Sequence, residues 1–238
     1  MAARPKTNGS GCYACEAPGT TREHVPPECI FPEAKDAAGG RDLRRNLITV
    51  PSCAEHNLKK GADDIYLMWV MCCNLSANSV ALQQARTKLA RALRRDATLF
   101  AAINVDPKDV DVFDSRSGRK HEAVQLTLDG PRFDRALELV VRGLFRHHYG
   151  EPWLGPVRVV PDFIDYFDDP DLDGLQHARV TLFECAEKLF AEDPRHGENH
   201  DVFWFKSRGP ESGYRCLMRI TFYGACTVTA FFGKDEQG

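Results

Sequence analysis

Residues 12–15 (CYAC) and residues 53–56 (CAEH) decide the fold of the first part of the chain. In each stretch two soft metal ligands are separated by two residues, and about 40 residues lie between the stretches. Such pairs form tight knuckles that hold zinc in a tetrahedron, and four protein ligands leave no open position for water. We therefore predict a structural zinc ion. The predicted ligands are Cys12, Cys15, Cys53 and His56.

The surrounding segment needs such a metal ion in order to fold. Residues 11–61 are rich in glycine, proline and polar residues, and their one apolar stretch is residues 47–50. So little apolar surface does not stabilise a fold unaided. The chain has nine cysteines, an odd number, and residues 1–11 lack the apolar centre of a signal peptide. Both features argue against a disulfide framework. Cys29 is an alternative zinc ligand, although it has no partner at knuckle spacing.

Further motifs accompany the two metal-ligand pairs in a fixed order. They are residues 21–27 (TREHVPP), residues 46–50 (NLITV) and residues 53–61 (CAEHNLKKG). Together with the ligand pairs, this layout resembles the HNH, or ββα-metal, endonucleases, in the subgroup whose fold a zinc ion stabilises. The resemblance covers residues 12–61, about a fifth of the chain. Two departures are His56, where the family usually has cysteine, and Asn57, where the last histidine of HNH stands. Zinc accepts the first change, and the family also uses the second.

The residues of this segment suit phosphodiester hydrolysis. His24 precedes a rigid Pro-Pro pair, and a histidine with an unperturbed pKa of about 6.5 is a natural general base. A divalent cation, magnesium or manganese, could neutralise the phosphate and the leaving 3′ oxygen, and Glu23 and Asn57 offer oxygen ligands for it. Strand alternation would place Glu23 and His24 on opposite faces. The resemblance implies that they converge at the end of the hairpin, so Glu23 is kept as a metal ligand.

The resemblance implies roles for four more residues. Asn46 corresponds to the middle asparagine, which orients the catalytic loop. Lys60 corresponds to the family's lysine and is predicted to contact phosphate, with Arg22 and Lys59 as further nucleic-acid-binding candidates.

Beyond residue 62 the pattern predicts an α+β protein. Apolar positions at helical spacing predict helices in residues 63–103, with a break at residues 74–79, and again in residues 133–148 and 176–191. Alternating residues predict an antiparallel sheet. The predicted strands are residues 110–113, 123–128, 157–160, 202–205, 216–223 and 226–232. The predicted divisions are a flexible N-terminus (1–11), an HNH zinc module (12–62), a helical linker region (63–104) and an α+β C-terminal domain (105–238).

Charge distribution and hydropathy restrict the partners. Residues 1–120 contain 18 Lys and Arg against 14 Asp and Glu, whereas residues 121–238 contain 13 against 20. A polyanion would therefore meet the first half. The arginines of residues 86–95 could guide DNA, although a solvated polar face explains them as well. No apolar run is long enough to span a membrane, and together with the absence of a signal peptide this predicts a cytoplasmic protein.

We expect a zinc-stabilised endonuclease that hydrolyses phosphodiester bonds, in double-stranded DNA, with His24 as general base. Bacterial defence is typical of the family. RNA is an alternative substrate. The alternative from another class is a catalytically silent zinc module that binds nucleic acid or a protein. Cutting both strands would favour a homodimer, and the acidic C-terminal domain could instead contact a protein partner.

Overall fold

The computed structural model describes residues 11–96, 107–114, 118–164, 173–209 and 213–233. These residues form a mixed α+β fold with an antiparallel sheet, which confirms the predicted fold class. The helices are α1 (Ala54–Leu58), α2 (Gly61–Cys72), α3 (Ser79–Gln84), α4 (Ala90–Arg95), α5 (Gly130–Tyr149) and α6 (Asp173–Leu189). The strands are β1 (Thr21–His24), β2 (Thr49–Ser52), β3 (Lys108–Asp114), β4 (Arg119–Gln125), β5 (Val157–Pro161), β6 (Phe203–Arg208), β7 (Cys216–Phe222) and β8 (Cys226–Phe232).

The first part of the chain is a hairpin followed by a short helix. β1 and β2 pair in antiparallel register, so that His24 lies opposite Thr49. The pairing ends where the backbone N–H of Val25 donates to the carbonyl of Ile48 at 2.9 Å. α1 begins two residues after β2. The order strand–strand–helix is therefore completed within residues 21–58.

Helix α2 lies in the core of the protein. Its seven residues from Tyr66 to Cys72 are all buried, because a helix that is apolar all round is covered on every side. Helix α5 packs against α2, and its Gly143 meets the hairpin. A Cβ atom at Gly143 would stand 2.5 Å from a methyl carbon of Val25, so this close approach requires glycine. One apolar core runs from Cys12 to Phe232, and the segment predicted as a linker contributes to it.

The larger sheet has the strand order β5-β8-β7-β6, with every pair antiparallel. All seven residues of β7 are buried, because both faces of the sheet are covered. A second small apolar cluster consists of Ala186, Phe190 and Leu217. It packs the C-terminal end of α6 and the residue after it against one face of the larger sheet. Arg219 of β7 is buried and forms ion pairs with Asp162 and Glu187.

Most predicted elements are found within one to three residues of their expected bounds. The helix expected at residues 133–148 is α5, and Gly150 ends it in the left-handed conformation, with φ of 83°, as a C-terminal glycine commonly does. The expected strands correspond to β3–β8, and residues 176–191 correspond to α6. The expected break at residues 74–79 separates α2 from α3.

Two parts of the sequence prediction differ from the structure or fall outside it. Between α3 and α4 the chain forms a π-helical turn, Ala85–Leu89, so residues 79–95 run on without a break. Residues 97–103 of the expected helical region and residues 1–10 of the expected flexible N-terminus lie outside the described residues. Within the described parts of the chain, no helix has the length and apolarity that crossing a membrane requires.

Candidate metal centre and catalytic hairpin

Four side chains converge beside the hairpin with the geometry of a metal centre. The ligand atoms of Cys12, Cys15, Cys53 and His56 all lie within 4.8 Å of one another. The Cys53 Sγ–His56 Nδ1 distance is 3.3 Å, the Cys12 Sγ–His56 Nδ1 distance is 3.6 Å, and the two sulfurs of Cys15 and Cys53 are 3.8 Å apart. A zinc tetrahedron has sulfur–sulfur edges of about 3.8 Å and sulfur–nitrogen edges of about 3.5 Å. The four residues could therefore hold a metal ion, and the set is compatible with structural zinc.

Local hydrogen bonds position the first ligand pair. The backbone N–H of Cys12 donates to the carbonyl of Ala17 at 2.8 Å, which closes the turn. Inside the turn the N–H of Ala14 donates to the Cys12 sulfur at 3.5 Å. The N–H of Tyr13 donates to the carbonyl of Pro51 at 3.0 Å and fixes the turn against β2. The first pair is thus brought to the strand that leads into the second pair.

The second pair uses the start of α1. Cys53 is the residue before the helix, and His56 lies in its first turn, so their side chains point to the same side. The backbone N–H of His56 and its side chain lower the pKa of the Cys53 thiol to about 6. Burial raises the pKa of Cys15 to about 11. Of these two cysteines, Cys53 therefore becomes a thiolate more easily, and the thiolate is the form that binds metal.

The two faces of β1 carry different chemistry. Thr21 and Glu23 face the C-terminal side of α1: the Asn57 amide donates to the Thr21 hydroxyl at 2.9 Å, and the Lys60 ammonium lies 2.7 Å from the Glu23 carboxylate. Successive side chains of a strand alternate, so Arg22 and His24 point the other way. Glu23 and Asn57 therefore share one side of the hairpin, whereas the half-buried His24 belongs to the other side.

Glu23 belongs to a cluster of three charges in which Glu23 and Lys60 are buried and Asp64 is half-buried. Lys60 bridges Glu23 and Asp64, with 2.7 Å to each carboxylate, and the Lys60 and Glu23 side chains are only 9% and 7% exposed. Burial raises the pKa of both carboxyl groups against the effect of Lys60. Burial acts to lower the pKa of Lys60, but the two carboxylates outweigh it, and its pKa is raised. Two carboxylates and one ammonium leave one negative charge, which favours a cation nearby.

The residues predicted to contact nucleic acid lie in different surroundings. Arg22 is exposed and donates to Thr49 through Nε and Nη2. Lys59 is exposed and pairs with Glu55 at 2.5 Å. Lys60 is buried and pairs with the carboxylates of Glu23 and Asp64. These surroundings do not favour a contact between Lys60 and a phosphate, which stays a prediction.

Among the arginines of residues 86–95, Arg91 forms a bidentate pair with Asp36. Part of this segment therefore serves packing within the molecule.

Asn46 contacts a distant part of the chain. It has a left-handed backbone, with φ of 53°, and its amide donates to the Glu198 carboxylate at 2.6 Å. Next to it, the Asn199 amide donates to the carbonyl of Arg45 at 3.1 Å. The loop before β2 is thus held by a loop more than 150 residues later in the chain.

An open groove of about 500 Å³ lies between these two loops. Arg22 and Thr49 of the hairpin line one wall, and Glu198 and Asn199 line the other. Apolar side chains of the loop between β1 and β2 also line it, as does His147 of α5. The groove is therefore on the Arg22 side of β1, the side to which His24 belongs.

Three residues of this region were not predicted from the sequence. Asp64 could have been found, because it stands four residues after Lys60 at the start of a helix. Glu198 and Asn199 carry no local signal, since they lie in a loop without a motif. Among the described residues, the Cys/His group is the one set of three or more His, Cys, Asp and Glu side chains close enough to share a metal ion.

Comparisons of the chain with protein-family models, with curated proteins and with solved structures found no match. Function is therefore inferred from the residues and their arrangement.

Proposed function

We propose that this chain is a metal-dependent endonuclease of the HNH type that hydrolyses phosphodiester bonds in DNA. The observation that carries the proposal is the arrangement around β1. A strand–strand–helix unit adjoins a Cys/His metal centre, with Glu23 and Asn57 on one side of β1 and His24 at the end of the same strand on the other side. This is the set of groups that the resemblance to HNH nucleases requires, in the expected order.

The two metal ions have separate roles in this proposal. Zinc on Cys12, Cys15, Cys53 and His56 stabilises the hairpin, which has little apolar surface of its own. A second cation, magnesium or manganese, would be held by Glu23 and Asn57 and would supply charge neutralisation at the phosphate. The negative charge of the Glu23, Asp64 and Lys60 cluster supports a cation there.

His24 acts as the general base. It accepts a proton from a water molecule, the water oxygen bonds to phosphorus, and the bond from phosphorus to the 3′ oxygen breaks. The 3′ oxygen leaves as a hydroxyl after taking a proton from solvent. Arg22 and Lys59, both exposed, would contact the phosphates on either side, and this interaction weakens as salt increases.

Cleavage of supercoiled plasmid tests this proposal. Purified protein, H24A and H177A are incubated with plasmid over a range of magnesium and manganese concentrations, with a chelator control. His177 is an exposed histidine on α6 and serves as the matched control. We expect nicking or linearisation by native protein and H177A and none by H24A. Cleavage by H24A at the native rate would contradict the role of His24.

A catalytically silent zinc module that binds nucleic acid or a protein is the second candidate. The observation that favours it is the ion pair between Lys60 and Glu23 at 2.7 Å, which occupies the acid that should hold the catalytic cation. A silent module would bind DNA with equal affinity in native protein and H24A and would cut it in neither.

A further inference from the structure

The groove between the hairpin and the Glu198 loop has the size of a site for a single small molecule. Its volume of about 500 Å³ falls in the range of ligand sites, about 300–1,000 Å³. It can accept one nucleotide but not a base-paired duplex. It is continuous with the hairpin, because Arg22 and Thr49 line it and Thr49 is the residue opposite His24 in the sheet register.

The walls of the groove differ in charge, and this determines how a nucleotide would lie in it. Arg22 lines the groove from the hairpin, and Glu198 lines it from the loop between α6 and β6. A phosphate is attracted to Arg22 and repelled by Glu198. The base would therefore point toward Glu198, across the apolar side chains that line the groove.

Three surface contacts connect the loop that carries Glu198 to the hairpin side of the groove. Glu198 accepts from Asn46 at 2.6 Å, Asn199 donates to the carbonyl of Arg45 at 3.1 Å, and Asp201 pairs with Arg41 at 2.8 Å. These contacts connect the loop to the hairpin side at several points and keep the width of the groove. A site fixed in this way loses less freedom on binding.

The carboxylate selects the kind of base. The bond to Asn46 uses one oxygen of Glu198, and a carboxylate has a second oxygen with its own lone pairs. A carboxylate only accepts hydrogen bonds, so it pairs with the exocyclic amino group of cytosine and not with the carbonyl of uracil or thymine.

We propose that the groove binds one unpaired nucleotide of the DNA next to the cut, and that Glu198 selects a base with an exocyclic amino group. This rests on the proposed nuclease function and adds a preference for substrate with an unpaired base. The part of the chain after residue 105 would then contribute to base specificity through the loop that carries Glu198.

Binding of single-stranded oligonucleotides tests the proposal without catalysis. Fluorescein-labelled oligo-deoxycytidylate and oligo-deoxyuridylate of twelve nucleotides are titrated with H24A protein at pH 8, and anisotropy is recorded. The two bases differ at position 4, which carries an amino group in cytosine and a carbonyl in uracil, and at N3, which accepts in cytosine and donates in uracil. We expect about fivefold tighter binding of the cytosine oligonucleotide, the effect of about one good hydrogen bond.

The variant E198Q supplies the decisive comparison. An amide can donate to the carbonyl of uracil, so the preference for cytosine should be lost or reversed, whereas E192Q should keep it. Glu192 is an exposed glutamate outside the lining of the groove. Both substitutions are made in H24A protein. Equal binding of the two oligonucleotides by H24A, or an unchanged preference for cytosine in H24A/E198Q, would overturn the proposal.

The results also separate this inference from the nuclease function. Plasmid cleavage by native protein together with equal oligonucleotide binding would leave the nuclease standing and refute base selection. A cytosine preference that depends on Glu198, without cleavage under any metal condition, would refute the nuclease and retain the nucleotide site.

Discussion

Replacing Lys60 with methionine should strongly destabilise the protein. Lys60 lies 2.7 Å from both Glu23 and Asp64, and its side chain is 9% exposed. Methionine fills a similar volume but removes the ammonium, so the buried Glu23 carboxylate and the half-buried Asp64 carboxylate would face each other without a counter-charge. Breaking a buried ion pair by removal of one partner costs about 3–5 kcal/mol. For a chain of this length that corresponds to a fall of about 6–20 °C in the unfolding midpoint.

Urea unfolding followed by tryptophan fluorescence measures this effect, with buffered zinc present throughout. The neighbouring K59M is the matched control, because Lys59 is exposed and pairs with Glu55 at the surface, where an ion pair contributes little. The double variant E23Q/K60M removes one of the two carboxylates and should regain part of the lost stability. If K60M were as stable as K59M, Lys60 would not compensate the charges of Glu23 and Asp64, and the three residues would not form a stabilising cluster.

Three further changes test other parts of the structure. C12S should lose the bound zinc, measured by inductively coupled plasma mass spectrometry, and should unfold the hairpin. G143A should destabilise by about 1–3 kcal/mol, since its methyl group would overlap Val25, and V25A should relieve part of this. Arg91 lowers the pKa of Asp36, so stability from this pair is present above the unfolded pKa, 3.8, and is lost as pH falls through the folded value. D36N should therefore lower the unfolding midpoint at pH 7, and its effect should become smaller as the pH falls below 3.8.

Each of these has a clear contrary result. Full zinc content in C12S would remove that cysteine from the metal centre. A stability of G143A equal to that of native protein would mean that the helix and the loop do not approach as closely as described. A constant difference between D36N and native protein across the pH range would show that the carboxylate contributes no charge interaction.

The metal centre could be predicted from the sequence because its geometry is local. Each ligand pair spans four residues, and a turn or the first turn of a helix brings both members together. Only the contact between the two ligand pairs is long-range. It could be predicted because both pairs contain ligands that zinc prefers, and one zinc ion needs four of them. Helix α5 was predictable for the same reason, since its apolar spacing and Gly150 are local signals.

The surroundings of the candidate catalytic residues could not be predicted in the same way. Alternation in β1 correctly separates Glu23 from His24, but it does not say that Lys60 folds back onto Glu23. The contact of Asn46 with Glu198 joins residues 152 positions apart, and neither residue has a pattern that identifies the other. This contact and the one between Asn199 and Arg45 join the two sides of the groove, and no sequence motif indicates either.

The extent of the core was also partly hidden from the sequence. Residues 63–104 were predicted to be a helical linker region. In the structure α2 is buried from Tyr66 to Cys72, because α5 and the loop after β1 cover it on different sides. The apolar run of residues 66–72 is a signal of this burial, but the sequence does not indicate which elements cover the helix.

The rate of plasmid cleavage by H24A, measured together with the zinc content of the same sample, tests the nuclease proposal most directly. A positioned general base contributes about 10²–10⁴-fold to a rate. We predict a loss of at least about 100-fold with the zinc content and folding of native protein. Cleavage at the native rate by H24A that retains its zinc would contradict the assignment of His24 as the base and, with it, the proposed mechanism.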